Sequence, residues 1–421
     1  MDYTTYIQWL EDVPRYGKKD GIHNMQVLME RFGNPQDRLP VIHVAGTNGK
    51  GSVCAMLASV LRQSGYRVGL YTSPHLIEYT ERIQIDGQPI AREDWLSIGL
   101  EVKEAAEQIA AAGGNHATFF ELITAIAFVY FARAGVDVVV LETGVGGRLD
   151  ATNVVKHPAL CVITSISLDH TKTLGDTLEA IAAEKAGILQ SGAPVVLAQN
   201  PPCVRQVVQN RAKELGCAYY EAVPQEGYAV SLVGDYQKQN MAAAIQAARV
   251  LQAAGWSISD EALRQGLSKA QWPGRMEMTA FLQKPLLLDG AHNPAGAEAL
   301  AEYLSRHYAA RPGRVALVFS ALAKKDTMHI MAPLHGCPAI GPVIFTCIDG
   351  ENRLAELADL WNNLGERPAA VRQAPAPRQT ETVKEALQTA AEQDVDLIVG
   401  AGSLYLIGDI KALLQSEAEH V

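Results

Sequence analysis

Short runs of β-branched and aliphatic residues alternate with longer helical patterns along most of this sequence. Such alternation is typical of βαβ units, which build a parallel sheet covered by helices. In the first part, the predicted strands are Val41–Ala45, Val68–Tyr71, Val136–Leu141, Ala159–Ile166 and Val195–Ala198. The predicted helices there are Ser52–Gln63, Phe119–Arg133 and Leu178–Ile188. The pattern therefore predicts an α/β protein with a mostly parallel sheet flanked by helices.

The same alternation starts again after Trp272-Pro-Gly-Arg275. The predicted strands are Pro285–Asp289, Val315–Phe319, Val343–Cys347 and Val395–Gly400, and the predicted helices are Pro294–Tyr308, Thr382–Glu392 and Leu404–Leu414. A chain of 421 residues also exceeds the size at which a single hydrophobic core stops growing. We therefore predict two domains, residues 1–280 and a smaller Rossmann-like α/β domain of residues 281–421, with Arg367–Gln379 as a surface loop.

Composition excludes several classes of function. A net charge of −10 argues against a general nucleic-acid binder, which needs excess Lys and Arg to replace the counterions of phosphate. The six cysteines form no CxxC pair or zinc-finger grouping, and the first residues lack the apolar run of a signal peptide. The longest apolar stretch, near Ala125–Ala132, is too short to span a bilayer. We therefore expect a cytoplasmic protein with reduced thiols and neither a nucleic-acid nor a membrane partner.

A glycine-rich segment lies between the strand Val41–Ala45 and the following helix. Its residues are Gly46, Thr47, Asn48, Gly49, Lys50, Gly51 and Ser52. Glycines allow the backbone to approach phosphates, helix-start amides point at them, and a lysine neutralises their charge. The match to G-x-x-x-x-G-K-[ST] is imperfect, because Gly46 is offset and Gly51 separates Lys50 from Ser52. The interpretation is an ATP-binding P-loop ATPase domain; the alternative is an ordinary strand-to-helix turn.

Polar residues follow several predicted strands directly. Ser73, Glu142 and the pair Asp169-His170 come after successive strands, and parallel strands end at one edge of a sheet, where ligands bind. A hydroxyl and a carboxylate suit magnesium, whereas an imidazole is an unusual magnesium ligand. Ser73 as a turn cap and His170 as a hydrogen-bonding turn residue remain open alternatives.

Glu142–Asn153 extends this edge as a loop with three glycines and the charged residues Arg148 and Asp150. We interpret it as a loop of the site; the alternative is a glycine-rich surface loop. Lys185 lies in an apolar helical segment, and its composition alone predicts an exposed helical lysine.

Seven segments taken together resemble one enzyme family. They are Val44-Ala-Gly-Thr-Asn-Gly-Lys-Gly-Ser52, Ser73-Pro-His-Leu76, Glu142–Asn153, Ser167-Leu-Asp-His170, Glu184-Lys-Ala-Gly-Ile188, Trp272-Pro-Gly-Arg275 and Asp289-Gly-Ala-His-Asn-Pro294. All occur in the order found in folylpolyglutamate synthase, often also a dihydrofolate synthase, of the Mur ligase superfamily. The resemblance spans residues 20–405 and implies an ATP-binding central domain followed by a glutamate ligase domain.

The resemblance implies a reaction and roles for particular residues. ATP phosphorylates a carboxylate of the folate, and the amine of L-glutamate then displaces phosphate from the acyl phosphate to form an amide. Lys50 and the loop amides would hold the phosphates, while Ser73, Glu142 and His170 match magnesium ligands. Lys185 matches a lysine that is carbamylated and binds a second magnesium ion. On this basis Lys50, His170 and Lys185 are the expected catalytic residues.

Other positions are also implied by the resemblance. Segments that match the folate or pteroate site contain Thr118, Phe119, Phe120, Glu121, Leu149, Asp150 and Ala151. For both phenylalanines, core packing is the alternative to stacking on a heteroaromatic ring. Matches to ATP contacts are Asn240, Arg275 and Asp289, and His292 and Lys325 are tentative site residues of the C-terminal domain. Met241 departs from the family, which has a small residue at that position.

Two other functions are alternatives for this sequence. A ligase for peptidoglycan precursors would carry a uridine-nucleotide domain before the ATPase loop, but only 45 residues precede Gly46. A nucleotide-switch binding protein would have a standard GK[ST] loop and base-reading motifs, and it would not account for Asp289–Pro294. The preferred folate, acceptance of dihydropteroate, the chain length and linkage of glutamates, and the state of Lys185 stay open. A monomer is expected.

Overall fold

The structure, a computed structural model, describes residues 1–14, 21–308, 310–348 and 351–418. It divides into two compact units. The first comprises Met1–His75, Tyr79–Ser231 and Lys238–Gln271, and the second Leu76–Glu78, Leu232–Gln237 and Trp272–Val421. Within the described residues, none of the helices combines the length and apolar character needed to cross a membrane.

The first unit is built on an eight-stranded sheet of order β4-β3-β2-β5-β1-β6-β7-β8. Its strands are β1 Val41–Ala45, β2 Val68–Tyr71, β3 Ile83–Ile85, β4 Gln88–Pro89, β5 Val138–Glu142, β6 Leu160–Ile163, β7 Val195–Leu197 and β8 Tyr219–Glu221. The six strands from β2 to β8 in this order run parallel, whereas β3 and β4 pair antiparallel at one edge.

Helices surround this sheet. They are α1 Tyr3–Asp12, α2 His23–Glu30, α3 Lys50–Gln63, α4 Arg92–Ala111, α5 Phe119–Ala134, α6 Thr171–Leu174, α7 Leu178–Ala186, α8 Pro202–Glu214, α9 Tyr236–Ala253 and α10 Asp260–Lys269. The central strands β1 and β5 are buried along their whole length, which explains their uninterrupted apolar sequences. Because β1 is central, its carboxyl end opens between the ends of β5 and β6.

The second unit has a six-stranded sheet of order β13-β12-β11-β14-β10-β9. Its strands are β9 Glu277–Phe281, β10 Lys284–Asp289, β11 Val315–Phe319, β12 Ile340–Thr346, β13 Arg378–Thr380 and β14 Leu397–Ala401. Its helices are α11 Pro294–Tyr308, α12 Thr327–His335, α13 Leu354–Asn362, α14 Val383–Ala391 and α15 Leu404–Ala418. All pairs are parallel except the hairpin of β9 and β10. The predicted fold class, two parallel-dominated α/β units, is therefore confirmed.

One local prediction in the second unit is only partly right. Arg367–Gln379 was expected to be a surface loop, but it contains a 3-10 turn at Ala369–Val371 and its end enters β13. β13 is an edge strand of three residues that are polar and largely exposed, so it lacks the apolar run that predicts a buried strand.

Candidate active site

The glycine-rich segment connects β1 to α3 at the carboxyl edge of the first sheet. Gly49 adopts a left-handed conformation with φ of 86° and precedes the first helical residue, Lys50. No side chain caps this end of α3, so the amides at its start are presented as an anion site. A Cβ atom on Gly46 would collide with Thr164 Oγ1, so that position requires glycine.

Part of the same segment is already engaged. The amides of Thr47 and Asn48 donate to the carbonyl oxygen of Ser165 over 2.8 and 3.3 Å. The carbonyl of Asn48 accepts from Thr164 Oγ1 at 2.7 Å. These bonds fix the loop to the segment after β6. The amides available for phosphates are therefore those from Gly49 onward, a narrower set than the sequence predicted.

Asn240, predicted to contact ATP, lies on this loop. A Cβ atom on Gly49 would run into Asn240 Oδ1, and Asn240 is buried in α9. The amide side chain therefore packs directly over the residue that starts α3. This contact explains why Gly49 cannot carry a side chain, in addition to its positive φ.

Two lysines share one backbone acceptor in this loop. The carbonyl oxygen of Gly46 accepts from Lys50 Nζ at 3.2 Å and from Lys185 Nζ at 2.6 Å. Lys185 is 4% exposed, so the expectation of an exposed helical lysine is wrong. Burial first, and then the positive charge of Lys50, lower the pKa of Lys185 to about 7. A substantial fraction of this amine is therefore uncharged at neutral pH.

Glu142 and Ser73 meet beside these lysines. Glu142 is the last residue of β5, is 3% exposed, and lies with Oε1 4.0 Å from Lys50 Nζ. The backbone amide of Ser73, just beyond β2, donates to Glu142 Oε2 over 3.2 Å. The structure thus brings a carboxylate and a serine together next to the phosphate loop. Such oxygen ligands suit magnesium bound jointly with phosphate oxygens.

His170 is placed differently. It follows β6, has a left-handed backbone with φ of 51°, and begins the short helix α6. Its side chain is 42% exposed, with Nε2 3.9 Å from Asp169 Oδ2. Among the residues that the structure describes, no three His, Cys, Asp or Glu side chains converge on a metal position. A magnesium ion here would therefore need the serine and the phosphates as ligands.

The loop Glu142–Asn153 is organised around Asp150. Its Oδ2 accepts from the amides of Gly144 and Val145, each at 2.9 Å. Its Oδ1 accepts from the amide and the hydroxyl of Thr152 at 3.0 and 2.6 Å. Burial raises the pKa of this carboxyl, and the hydrogen bonds oppose that change. Asp150, predicted to bind the folate, thus uses both oxygens to shape the loop.

The far part of this loop is attached to the end of α7. The amide of Arg148 donates to the carbonyl of Glu184 at 2.8 Å, and the two side chains form an ion pair of 2.7 Å. Asn153 Nδ2 donates to the carbonyls of Arg148 and Gly187, both at 3.1 Å. Two segments that looked separate in the sequence are therefore one structural element around Lys185.

The other residues predicted for the folate site lie at the start of helix α5 or flank Asp150. Thr118 and Glu121 form a capping box in which the amide of Thr118 donates to Glu121 Oε2 at 2.7 Å. Phe119 is buried in the core of the unit, with its ring 6.1 Å from that of Tyr79. Phe120 is half-buried and lies against Gly144. Phe120 is thus the aromatic residue that borders the glycine-rich loop.

Leu149 and Ala151 flank Asp150 with opposite exposure. Leu149 is 47% exposed, whereas Ala151 is 7% exposed and starts a 3-10 turn. Leu149 therefore offers an apolar surface from the rim of the loop, and Ala151 contributes to the core.

The remaining predicted residues belong to the second unit. The amide of Met276 donates to Asp289 Oδ2 at 2.9 Å, and burial raises the pKa of Asp289 while Arg275 lowers it. Arg275 Nη1 is buried without a hydrogen-bond acceptor, so this guanidinium can donate one further hydrogen bond to a ligand. The charge of Arg275 thus acts on the buried Asp289 at the end of β10.

His292 and Lys325 occupy loops of the second unit. His292 Nδ1 lies 2.7 Å from the carbonyl oxygen of Gly290, just before α11. Lys325 is half-buried in the turn that leads into α12, with its amide 3.0 Å from the carbonyl of Leu322.

Sequence reasoning missed four residues that shape the site. His43 and Thr152 are fully buried and hydrogen-bonded to each other, and Asn153 and Gly187 connect the loop to α7. Thr152, Asn153 and Gly187 lie in the segments Glu142–Asn153 and Glu184–Ile188, so their position near Arg148 and Lys185 was a usable signal. His43 had a weaker one, a histidine inside a buried apolar strand.

Family models match both parts of the chain. The Mur ligase middle domain matches residues 44–222, and the Mur ligase glutamate ligase domain matches residues 274–402. A relative from Bacillus subtilis, named dihydrofolate synthase/folylpolyglutamate synthase, is 41% identical over 352 residues, which are 77% of this chain and 81% of the relative.

Solved structures of similar proteins cover almost the whole chain. Folylpolyglutamate synthase from Mycobacterium tuberculosis, solved with ADP and AMPPCP, has a TM-score of 0.84 and 30% identity, covering 98% of this chain and 99% of the other. E. coli FolC, solved with DHPP and ADP, has a TM-score of 0.86 and 28% identity, covering 99% of each chain.

Proposed function

Because this chain belongs to the folylpolyglutamate synthase family of the Mur ligases, we propose that it is an ATP-dependent ligase that adds L-glutamate to folates. Joining dihydropteroate to glutamate is a possible second reaction, as the name of the Bacillus subtilis relative indicates for that protein. We assign ATP use to residues 1–280 and the glutamate ligase domain to residues 281–421. The peptidoglycan and nucleotide-switch alternatives are not favoured by the names of the relatives.

One observation supports this proposal most strongly. Lys50, Lys185 and Glu142 surround the phosphate loop, where both lysines donate to the carbonyl of Gly46 and Glu142 lies 4.0 Å from Lys50. This arrangement supplies positive charge for phosphates and a carboxylate for a metal, with no side-chain nucleophile. Phosphoryl transfer depends mainly on positioning and charge neutralisation, and these groups contribute to both.

The proposed reaction balances in two steps. A carboxylate oxygen of the folate attacks the γ-phosphorus of ATP, ADP leaves, and an acyl phosphate forms. The amine nitrogen of glutamate then attacks the acyl carbon, phosphate leaves with the C–O electron pair, and the nitrogen releases one proton as the amide forms. In this scheme Lys50 and the amides from Gly49 onward orient the phosphates, and Asn240 holds the loop in place.

Magnesium fits the residues on one side of the loop. We propose that Ser73, Glu142 and His170 bind one ion together with phosphate oxygens, and the contact between Ser73 and Glu142 supports the first two. Magnesium would neutralise the phosphate charge that develops during transfer. On the nucleotide side, Arg275 and Asp289 are proposed ATP contacts, with His292 and Lys325 as tentative ones.

Lys185 is proposed to carry a carbamate that binds a second magnesium ion. An uncharged amine nitrogen attacks CO2, an N–C bond forms, and one proton is released. The lowered pKa of about 7 supports this, because the reactive form of the amine is then abundant at neutral pH. The carbamate would replace a buried cation by an anion beside Lys50.

We further propose that the folate binds along Phe120, Leu149 and the loop around Asp150, with Thr118, Phe119, Glu121 and Ala151 shaping its walls. The exposed Leu149 and the half-buried Phe120 support this by presenting apolar surface. We expect a monomer that acts in the cytoplasm, in keeping with six free cysteines.

Release of phosphate from ATP tests the function directly. We expect release only when both a folate and L-glutamate are present, with formation of the glutamylated folate. Tetrahydrofolate and dihydropteroate, assayed in parallel, separate the two possible reactions. Release driven by a uridine-linked peptide, or release that does not depend on folate, would overturn the proposal.

A further inference from the structure

A buried chain of hydrogen bonds runs from the middle of β1 to the glycine-rich loop. His43 Nε2 lies 2.8 Å from Thr152 Oγ1, and the Thr152 hydroxyl lies 2.6 Å from Asp150 Oδ1. Asp150 Oδ2 in turn accepts from the amides of Gly144 and Val145 at 2.9 Å. The chain therefore connects the strand that carries the phosphate loop with the turn that follows β5.

The direction of the protons follows from the chemistry of the hydroxyl. Thr152 has one hydroxyl proton, and at 2.6 Å from a carboxylate oxygen it donates that proton to Asp150. The same oxygen must then accept from His43, which assigns the imidazole proton to Nε2. Burial lowers the pKa of His43 to about 3, so the ring that donates from Nε2 is neutral.

Packing alone does not account for a histidine at this position. His43 is fully buried, and its Nδ1 has no hydrogen-bond partner. A buried acceptor without a partner is destabilising, and an aliphatic residue would fill a central strand without this cost. The one favourable polar contact described for the ring is its N–H to Thr152. The hydrogen bond to Thr152 is therefore the reason for a histidine at this position.

The Gly144–Val145 turn, where this series of hydrogen bonds ends, borders the proposed folate site. A Cβ atom on Gly144 would lie 2.7 Å from Phe120 Cζ and 3.2 Å from Asp150 Oδ2. A small shift of this turn would therefore change the wall against which Phe120 packs. The phosphate loop has its own support from Ser165 and Asn240, so it is less dependent on this chain.

We propose that His43 is a positioning residue of the ligase, which holds the Gly144–Val145 turn through Thr152 and Asp150 and so sets the affinity for the folate. The inference rests on the proposed function. It assigns no contact between His43 and any substrate. It predicts that interruption of the chain affects the folate more than ATP.

Steady-state kinetics of matched variants test the proposal. His43→Leu removes the donor, and His43→Gln keeps an N–H group at a similar distance from the backbone. We expect His43→Leu to raise KM for the folate about fivefold, the effect of losing one buried hydrogen bond, with KM for ATP unchanged. His43→Gln should restore much of the lost affinity, which a role in packing alone would not explain.

Substitutions at the next link examine the same chain independently. Thr152→Val interrupts it while keeping the shape of the side chain, and Thr152→Ser keeps the hydroxyl. Thr152→Val should raise KM for the folate, and Thr152→Ser should not. In the double variant His43→Leu/Thr152→Val the effects should be less than additive, because both act on one chain. If His43→Leu fails to fold, the two Thr152 variants still decide the question.

Ile42→Val is the control for general weakening of β1, because neighbouring residues of a strand point to opposite faces. It should lower the unfolding temperature without changing KM for the folate. If the wild type is active, the role of His43 would be overturned by either of two results. One is an unchanged KM for the folate in His43→Leu, and the other is an equal rise in KM for the folate and for ATP. A wild type without folate-dependent glutamate ligation would instead overturn the proposed function.

Discussion

At the scale of single residues, burial changes the chemistry of two side chains. Lys185 and His43 are both almost fully enclosed, and in both the charged form is disfavoured, with pKa values of about 7 and about 3. The first gains reactivity as an amine, and the second remains a neutral hydrogen-bond donor. Their sequence contexts, an apolar helix and an apolar strand, indicate burial only when the surrounding fold is known.

Replacement of Lys185 tests the carbamate. Lys185→Ala should reduce turnover strongly, and short carboxylic acids should restore part of it by supplying the missing carboxylate. The measurement is the rate of glutamylated folate formation with and without added acid. The same acid should leave Lys50→Ala inactive, since that variant lacks a cation. Wild-type turnover in Lys185→Ala would exclude the proposed role.

The lowered pKa of His43 predicts how the free energy of unfolding depends on pH. Its folded-state pKa of about 3 lies below the ordinary value of 6.5, so below pH 6.5 the unfolded chain binds a proton that the folded chain does not. Stability contributed by the neutral ring is therefore complete above that pH and is lost as the pH falls towards about 3. In urea unfolding, wild type should lose about 2 kcal/mol more than His43→Gln between about pH 6.5 and about pH 5. Parallel curves for the two proteins would contradict this.

At the scale of elements, α7 and the loop Glu142–Asn153 are packed closely together. A Cβ atom on Gly147 would lie 2.8 Å from the carbonyl oxygens of both Glu184 and Lys185. Because these are backbone atoms, Gly147→Ala must push the loop away from α7, at a cost of about 1–3 kcal/mol. We expect a lower unfolding temperature in calorimetry and reduced ligase activity.

Gly336→Ala is the matched control, since its Cβ would meet nothing closer than 3.6 Å and its φ is −75°. It should leave both stability and activity close to wild type. Equal losses in the two variants would mean that the loop does not depend on its contact with α7.

Long apolar elements were predictable, and short or polar ones were not. β1 and β2 have the predicted bounds, because their apolar runs end abruptly at glycine or polar residues. β3, β4, β8, β9 and β13 were missed: each has two to five residues and lies at or next to a sheet edge, so none contains a long apolar run. Strand pairing, not local sequence, defines such segments.

The site shows the same division. Ser73 and Glu142, predicted from separate motifs, lie in contact, and Asn240, implied by the resemblance alone, lies against Gly49; their roles in the reaction stay predictions. What could not be predicted is which polar groups form hydrogen bonds within the protein and so shape the site, as Asp150 does. That depends on distances across the fold, which no local spacing contains. The role of His43 depends on Thr152, more than a hundred residues away along the chain.

At the scale of the whole molecule, ligand binding should appear as added stability. ATP with magnesium is proposed to bind the folded protein at the phosphate loop, so at about 100 times its Kd it should stabilise the first unit by about 2.7 kcal/mol. Thermal unfolding with and without nucleotide measures this. Lys50→Ala should lose most of the increase while its unfolding temperature without nucleotide stays near wild type. The exposed Lys213→Ala on α8 removes the same charge and should keep the full increase.

Lys50 and Lys185 donate to the same carbonyl oxygen, and the charge of Lys50 acts on the amine of Lys185. Since the charge of Lys50 lowers the pKa of Lys185, any change that neutralises Lys50 raises it and leaves fewer uncharged amines for CO2. A Lys50 variant would thus lose activity twice, through the phosphates and through a less reactive neighbour. Bound phosphate acts in the same direction by screening Lys50. The order of addition then matters: protein that meets CO2 before nucleotide should become active sooner than protein that meets nucleotide first.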